Sequence, residues 1–324
     1  FANYLVSKKK KIKIYGMDNF DEYYDVNLKK KRISSLKKNK NFYFKFIDIR
    51  DKKKINYFFL KNKFDIVIHL AAQAGVRYSL VNPRKYIDVN IYGFLNIMNC
   101  VKRFKISKFI YASSSSVYGE VKNFPLNENN DLYPKNIYGY SKLINEKIAE
   151  FYSTIYKINS IGLRFFTVFG PWGRPDMFII KLLLANKNKK IFELNNAGNH
   201  YRDFTSINDV NLILEKLCIK KIKKSYIFNV CSNRPIFIKT LVKIIEKFKG
   251  KLKIKIIPKN KADVYKTHGD NKKIMKFLKI RKLSNFKEEL NKTLKWFDKQ
   301  KVIKFTYSPV YNHSRYNEAI YFGF

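Results

Sequence analysis

The feature that most constrains the fold of this chain is the alternation of short apolar runs with longer helical patterns through its first half. The strand-like runs lie at residues 11–17, 42–47, 64–70, 109–112 and 160–166, and the helical patterns lie at about 50–62, 84–104 and 137–157. Nearly continuous apolar strands separated by helices are typical of a parallel sheet that is covered on both faces. The sequence therefore predicts an α/β fold built on a doubly wound parallel sheet.

Ligands of such a sheet bind outside the carboxyl ends of its strands. The residues at those ends are Asp18, Asp48, 71–73, 113–116 and 166–168. From about residue 169 the pattern changes to loops that contain proline and glycine, with shorter elements and a helical end at about 285–300. We interpret residues 169–303 as a smaller, mainly substrate-binding region that is partly interleaved with the sheet, and we leave 304–324 unassigned.

The charge of the chain is +42, from 67 Lys and Arg against 25 Asp and Glu, and such a charge can indicate a polyanionic partner. The enriched residues (Lys, Asn, Ile, Phe and Tyr) are those of AT-rich codons, however, so coding bias explains the composition equally well. The lysines are also spread along the whole chain. We therefore expect no nucleic-acid partner, with a non-catalytic polyanion-binding protein as the alternative from another class.

The three cysteines, Cys100, Cys218 and Cys231, form no CxxC pair, which argues against both a zinc site and a disulfide framework. No run of about 18 uncharged apolar residues indicates a membrane span, and no signal peptide precedes the first strand-like run. We expect a cytoplasmic protein with no metal site and no membrane partner.

The sharpest chemical signal is the sequence YGYSK, in which Tyr138 and Lys142 are spaced to share one face of a predicted helix. A phenol with a pKa of about 10 is a poor base, and a neighbouring ammonium group lowers that pKa. Most Tyr–Lys pairs at this spacing are solvated helix surface. Here, four serines at 113–116 follow a predicted strand upstream, so a hydroxyl group, a phenol and a cation are expected on adjacent elements.

Five motifs occur in an order that resembles one enzyme family. They are HLAAQAGVRYS (69–79), YASSSSVYG (111–119), YGYSK (138–142), LRFFTVFGPWGRPDM (163–177) and RDFTSINDV (202–210). Together they resemble the extended short-chain dehydrogenase/reductase family of NAD-dependent epimerases and dehydratases, and in particular its UDP-glucuronate 4-epimerase branch. The resemblance runs from residue 1 to about 300. It implies a Rossmann-type sheet, NAD as the cofactor and a nucleotide-sugar substrate, and we expect a homodimer.

The sequence departs from the family at its start. Family members begin with a strand and a GxxGxxG turn whose backbone amides hold the cofactor pyrophosphate. This chain opens with FANYLV, which resembles the helix after that turn. We therefore expect an amino-terminally truncated sequence, in which residues 1–168 form a Rossmann domain without its first strand and glycine-rich turn. An inactive truncated homologue is one alternative that this leaves open.

The resemblance also implies which residues bind the cofactor. Asp18 matches the carboxylate that hydrogen bonds the adenosine ribose, and its charge favours NAD over NADP. Asp48 and Ile49 match the pair that contacts adenine. The other residues implied to contact the cofactor are Leu70, Ala71, Ala72, Ser113, Tyr138, Lys142 and Val168.

The substrate assignment depends on the serine run and on three arginines. Dehydratase relatives carry an Asp–Glu pair where this chain has Ser115 and Ser116, so epimerisation is favoured over dehydration. Arg77 and Arg174 lie in motifs similar to those of glucuronate epimerases, and a guanidinium group suits a carboxylate or a phosphate. Arg202 resembles the family residue that binds the nucleotide diphosphate. The residues implied to bind the substrate are Gln73, Arg77, Thr167, Arg174 and Arg202.

The resulting hypothesis is reversible C4 epimerisation of UDP-glucuronate to UDP-galacturonate through a 4-keto intermediate. Tyr138 takes the proton of the 4-hydroxyl, Lys142 holds Tyr138 as phenolate, and Ser114 steadies the hydroxyl with Ser115 and Ser116 as assistants. An epimerase of the UDP-glucose type is the alternative enzyme.

Overall fold

The computed structural model describes residues 1–8, 12–260 and 263–300 of the 324-residue chain. Strands and helices alternate in its first half, as the apolar pattern predicts. These elements are α1 (Ala2–Ser7), β1 (Ile14–Asp18), α2 (Val26–Lys37), β2 (Phe42–Phe46), α3 (Lys52–Lys61), β3 (Ile66–His69), α4 (Tyr78–Val81), α5 (Pro83–Tyr86), α6 (Gly93–Arg103), β4 (Lys108–Ser114), α7 (Ile137–Tyr156) and β5 (Ser160–Phe165). A π-helical turn, Ile87–Tyr92, joins α5 to α6 and interrupts the helix predicted over 84–104.

The second half contains shorter elements. They are β6 (Thr167–Phe169), α8 (Phe178–Lys187), β7 (Phe192–Asn195), β8 (Tyr201–Ser206), α9 (Ile207–Ile219), β9 (Tyr226–Val230), β10 (Pro235–Phe237), α10 (Ile238–Lys249), β11 (Ile254–Ile257), α11 (Lys272–Leu278) and α12 (Phe286–Asp298). Several helices begin directly after a residue whose side chain accepts a hydrogen bond from a backbone amide in the first turn. Asn136 accepts the Gly139 amide before α7, and Ser206 accepts the Asn208 amide before α9.

The parallel sheet is in two parts. Strand β1 pairs in parallel with β2, while β3, β4, β5 and β9 form a parallel four-stranded sheet in that order. Within the described residues, no hydrogen-bonded ladder joins β1 to β3. The predicted α/β fold with a parallel sheet is confirmed.

Helices cover both faces of the four-stranded sheet. On one face, α3, α6 and α7 enclose a cluster that includes Phe94, Phe109 and Tyr111. On the other face, α9 and α11 pack on residues that include Ile110 and Phe228. Neighbouring residues of β4 thus point to opposite faces, as the pleat of a strand requires. Each fully buried side chain of this size stabilises the fold by about 1.5–3 kcal/mol.

His69, which ends β3, belongs to this core. Its ring lies 5.5 Å from that of Phe94 and 6.5 Å from that of Phe109, measured between centroids. Burial lowers the pKa of His69 to about 3, so the imidazole is neutral at physiological pH. His69 is therefore a packed core residue.

The chain beyond residue 169 builds a second apolar cluster between α8, α10 and α12, against the small sheets β10–β8–β6 and β11–β7. Strand β9 and helix α9 come from the same range but belong to the main sheet and its cover. The two regions therefore share elements rather than dividing at one position.

No helix in the described ranges is long and apolar enough to cross a membrane. The same residues contain no cluster of three or more His, Cys, Asp or Glu side chains that could hold a metal ion. The unassigned tail, 304–324, lies outside the described residues.

Candidate active site

The serine run and the YGYSK motif meet at the carboxyl edge of the main sheet. Strand β4 ends at Ser114, and a single 3-10 turn, Ser115–Val117, follows it. Helix α7 approaches this turn so closely that a Cβ on Gly139 would lie 2.7 Å from the carbonyl oxygen of Ser116. Because glycine stands there, the first turn of α7 brings Tyr138 within hydrogen-bonding reach of Ser114.

Lys142 lies one turn further along α7, with 3% of its surface exposed. Its Nζ donates a hydrogen bond to the carbonyl oxygen of Ala112, 2.9 Å away, next to the serines on β4. Burial lowers the pKa of Lys142 to about 8, because the charged form loses its hydration. The ammonium form is therefore the main form at pH 7, and the pKa lies only about one pH unit above that.

Burial also raises the pKa of Tyr138, while a hydrogen bond from Ser114 and the positive charge of Arg174 lower it. We expected the ammonium of Lys142 to be the charge that lowers this pKa. That expectation is wrong for this structure: Lys142 is directed to the Ala112 carbonyl, and the guanidinium of Arg174 acts on the phenol.

Arg174 is itself held by a neighbouring carboxylate. Its Nε and Nη2 donate to the two oxygens of Asp176, at 3.0 and 2.9 Å, and Nη2 also contacts Met177 Sδ at 3.4 Å. Asp176 in turn accepts a hydrogen bond of 3.4 Å from the Tyr23 hydroxyl. Asp176 thus fixes the Nε–Nη2 edge of the planar guanidinium of Arg174. The positive charge of Arg174 lies beside the phenol of Tyr138.

Arg77 and Arg202 belong to a different group of charges. Arg77 forms an ion pair of 2.6 Å with Asp263, which also accepts a hydrogen bond from Asn195 Nδ2. The charges of Asp263 and Arg77 both act on Arg202, so these three side chains are neighbours. Arg77 is thus paired with Asp263 beside Arg202. Two arginines together suit a diphosphate better than a single carboxylate.

The residues predicted to bind a cofactor line the carboxyl ends of neighbouring strands. Asp18, at the end of β1, is exposed and accepts the Phe20 amide at 2.7 Å. Asp48 follows β2; although burial raises its pKa, hydrogen bonds from Arg50 and Asn19 lower that pKa to about 2. Leu70, an apolar residue directly after β3, leaves 47% of its surface exposed.

Several other residues predicted to bind the cofactor or the substrate direct their side chains to packing or hydrogen bonds within the protein. Ile49 packs against α6, where a Cβ on Gly93 would lie 2.6 Å from its Cδ1. Gln73 is 4% exposed and donates to the Ala74 carbonyl, and Ser113 donates to Glu146. These three residues can offer a ligand mainly their backbone. Ala71 and Ala72 follow the end of β3, and Ser115 and Ser116 follow the end of β4. Thr167 and Val168 lie in β6, which begins two residues after the end of β5 and pairs with β8.

Asn90 has a structural role through its side chain. It lies in the π-helical turn, is 1% exposed, and its side chain bonds both backbone groups of Gln73 and the Ser141 hydroxyl. Asn145 on α7 donates to its carbonyl at 2.6 Å. Asn90 thus ties the loop after β3 to α7. The π-helical turn, a frequent feature of functional sites, places it there.

The charge of Lys142 predicts a pH-dependent stability that can be measured without substrate. Its pKa is about 8 in the folded protein and near 10.5 when unfolded, so the unfolded chain binds more protons between these values. Stability should therefore rise with pH through that window, by about 1.4 kcal/mol per pH unit. We expect the unfolding free energy of the wild type, relative to Lys142→Met, to increase by about 2 kcal/mol from pH 8.5 to 10. Urea denaturation of both proteins measures it, and a constant difference would contradict the burial of the ammonium.

Comparison with known proteins identifies close relatives. A family model described as GDP-mannose 4,6 dehydratase matches residues 1–302. The chain is 38% identical over 301 residues to an uncharacterized protein of Methanocaldococcus jannaschii, and the match covers 91% of each chain. It is 36% identical over 308 residues to UDP-glucuronate 4-epimerase 4 of Arabidopsis thaliana, which covers 88% of this chain and 69% of that relative.

A solved structure is similar over nearly the whole chain. It is the UDP-glucuronic acid 4-epimerase of Bacillus cereus in complex with UDP-glucuronic acid and NAD, at 27% identity and a TM-score of 0.86. The match covers 92% of this chain and 94% of that one.

Proposed function

The chain belongs to the GDP-mannose 4,6-dehydratase family of NAD-dependent nucleotide-sugar enzymes, and we propose that it is a 4-epimerase that interconverts UDP-glucuronate and UDP-galacturonate. The observation that carries this proposal is the group formed by Ser114, Tyr138 and Arg174. A hydroxyl, a phenol and a guanidinium converge there, and neither Ser115 nor Ser116 offers the carboxylate that a dehydratase needs. Proton transfer at a sugar hydroxyl beside an acidic substituent fits these three groups.

The residues present fit NAD as the cofactor. Asp18 offers an exposed carboxylate to ribose hydroxyls, and Leu70 offers an exposed apolar side chain. Lys142 is a buried ammonium with three N–H donors, of which one is directed to Ala112 within the described part of the chain. Bound NAD would supply reversible hydride transfer at C4.

Within this function the side chains have separate roles. Tyr138 accepts the proton of the 4-hydroxyl group and later returns it. Ser114 donates a hydrogen bond to the same sugar oxygen, and Lys142 bonds the ribose beside the nicotinamide. Arg174 lowers the pKa of the phenol and binds the carboxylate of the sugar, while Arg77 and Arg202 bind the diphosphate.

A second candidate function is epimerisation of a neutral hexose of the UDP-glucose type. The observation that favours it is the ion pair between Arg174 and Asp176, which already neutralises the guanidinium without a substrate carboxylate. The two functions differ in whether Arg174 has a hydrogen-bonding edge left for the sugar.

The deciding experiment offers the full-length protein equal concentrations of UDP-glucuronate and UDP-glucose and identifies the products by NMR. We expect UDP-galacturonate from the first and at most trace turnover of the second. Conversion of UDP-glucose to UDP-galactose with UDP-glucuronate untouched would favour the second candidate. A salt-sensitive nucleic-acid complex with no sugar-nucleotide turnover would support the polyanion-binding alternative.

We further propose a homodimer that forms through the outer face of α7. Tyr140, Ile144, Phe151 and Ile155 recur along this face at helical spacing and are 37–57% exposed. Such a row of large apolar side chains on one helix is typical of a helix–helix contact. We expect light scattering to give the mass of two chains for the wild type and of one for Phe151→Glu, whereas equal masses would contradict this interface.

A further inference from the structure

A buried ion pair lies directly behind the catalytic serines. Arg164 on β5 and Glu146 on α7 are 4% and 7% exposed, and two hydrogen bonds of 2.8 and 2.9 Å join them. Burying two charges costs several kcal/mol, so such a pair is weak evidence of stabilisation in itself. Its remaining hydrogen bonds indicate a different role.

The pair is bonded to both ends of one short segment. We define the serine arch as residues 113–118, which run from the end of β4 through the 3-10 turn. At the near end, the Ser113 hydroxyl donates to Glu146 Oε1 at 2.5 Å. At the far end, Arg164 Nη1 donates to the Tyr118 hydroxyl at 2.9 Å. Ser114, Ser115 and Ser116 lie between these two attachments.

The far end of the arch is fixed further by β9. The Tyr118 hydroxyl donates to Asn229 Oδ1 at 2.7 Å, and Asn229 is fully buried. Although the positive charge of Arg164 opposes it, burial raises the pKa of Tyr118 to about 12, so this hydroxyl stays protonated. Gly119 follows at a φ of +70°, where a Cβ would lie 1.8 Å from the Tyr133 carbonyl oxygen. The backbone conformation directly after the arch is therefore restricted to one that only glycine adopts easily.

Inside the arch, hydrogen bonds are local. The Ser116 amide donates to Ser114 Oγ at 3.1 Å, and the Tyr118 amide donates to the Ser115 carbonyl at 3.2 Å. These bonds set the shape of the arch but do not connect it to the rest of the protein. Besides the backbone pairing of Ser113 and Ser114 with β5, the two attachments hold the arch in place relative to Tyr138.

We propose that Glu146 and Arg164 are positioning residues, which act through Ser113 and Tyr118 to hold Ser114 at the phenol of Tyr138 while the sugar turns over. The proposal rests on the proposed function, because it assigns the arch to the epimerisation site. A displacement of about 1 Å at a catalytic group can lower the rate about 100-fold. A pair that is buried and bonded to both ends of the arch opposes such a displacement.

The test removes one attachment at a time, with Ser113→Ala and Tyr118→Phe. Each variant loses a single hydroxyl and keeps the Glu146–Arg164 pair. We expect kcat for epimerisation to fall about tenfold to 100-fold in each variant, with KM within threefold of the wild type, because the diphosphate contacts are untouched. The matched control is Tyr152→Phe, since Tyr152 is also buried on α7 and its hydroxyl donates to Asn99 at 2.7 Å, away from the arch. That control should keep the kcat of the wild type.

A second measurement needs no substrate. Hydrogen–deuterium exchange of the amides at 114–118 should become at least about tenfold faster in Ser113→Ala and Tyr118→Phe, and should stay unchanged in Tyr152→Phe. Unchanged exchange in both arch variants would overturn the proposal even if the protein is an active epimerase, as would an equal loss of kcat in the control. Faster exchange in a protein that turns over no nucleotide sugar would support the attachment of the arch and reject the proposed function.

Discussion

Replacement of Tyr138 by phenylalanine is expected to lower kcat for C4 epimerisation by about 1,000-fold, because it removes the proton acceptor and keeps the ring. Cofactor and substrate should still bind, since the aromatic contact of this ring with Tyr86, at 6.1 Å between centroids, does not need the hydroxyl. Turnover of UDP-glucuronate by coupled assay, together with NAD content after denaturation, measures both effects.

The matched control for this variant is Tyr156→Phe. Tyr156 lies at the end of the same helix and is 43% exposed, so loss of its hydroxyl should leave kcat unchanged. Near-normal turnover by Tyr138→Phe would remove Tyr138 as the base. An equal fall in both variants would assign the loss to the helix rather than to the phenol.

The order and type of the first-half elements could be predicted because the parallel strands are buried on both faces. The runs predicted at 42–47 and 160–166 correspond to β2 (Phe42–Phe46) and β5 (Ser160–Phe165). The prediction of one continuous helix over 84–104 is wrong, because a π-helical turn separates the α-helices Pro83–Tyr86 and Gly93–Arg103. The apolar pattern, which repeats every 3.6 residues, does not reveal the residue that a π-helical turn adds. The α-helices before and after that turn still direct their apolar side chains to the core.

The candidate site was predictable where its chemistry is local in sequence and not where it depends on long-range partners. Tyr138 and Lys142 are four residues apart, so helix geometry alone places them on one face. Glu146 also follows at that spacing, but its partner Arg164 is 18 residues away and can be identified only in the folded chain. The same holds for Arg77, whose ion pair with Asp263 spans 186 residues.

The expected direction of the pKa of Tyr138 failed for a physical reason. An ammonium lowers the pKa of a phenol only when its charge faces the phenol, and here Lys142 bonds a backbone carbonyl. Burial then dominates and raises the pKa, and Arg174, 36 positions further along, supplies the opposing charge. Because desolvation depends on the whole packed environment, its contribution is not visible in a five-residue motif.

Arg174 has a further task if the substrate is a uronic acid. Oxidation at C4 makes a β-keto acid, which loses CO₂ readily when its carboxylate stands perpendicular to the plane of the ketone. An epimerase must hold the carboxylate in an unreactive orientation until hydride returns. A planar guanidinium whose Nε edge is already fixed by Asp176 can do this with its remaining N–H groups, together with Thr167 as a second donor.

Replacement of Arg174 by lysine should therefore release more UDP-4-keto-pentose than the wild type and epimerise more slowly. Loss of one charge-assisted hydrogen bond costs about 1.5–3 kcal/mol. We therefore expect the ratio of the two products to change about tenfold to 100-fold. NMR of the UDP-glucuronate reaction measures that ratio. Arg84→Lys is the control, because Arg84 pairs with Asp88 at the surface and is away from the site. If Arg174→Lys epimerises as fast as the wild type with no added decarboxylation, Arg174 does not hold the carboxylate, and the neutral-hexose function becomes the better assignment.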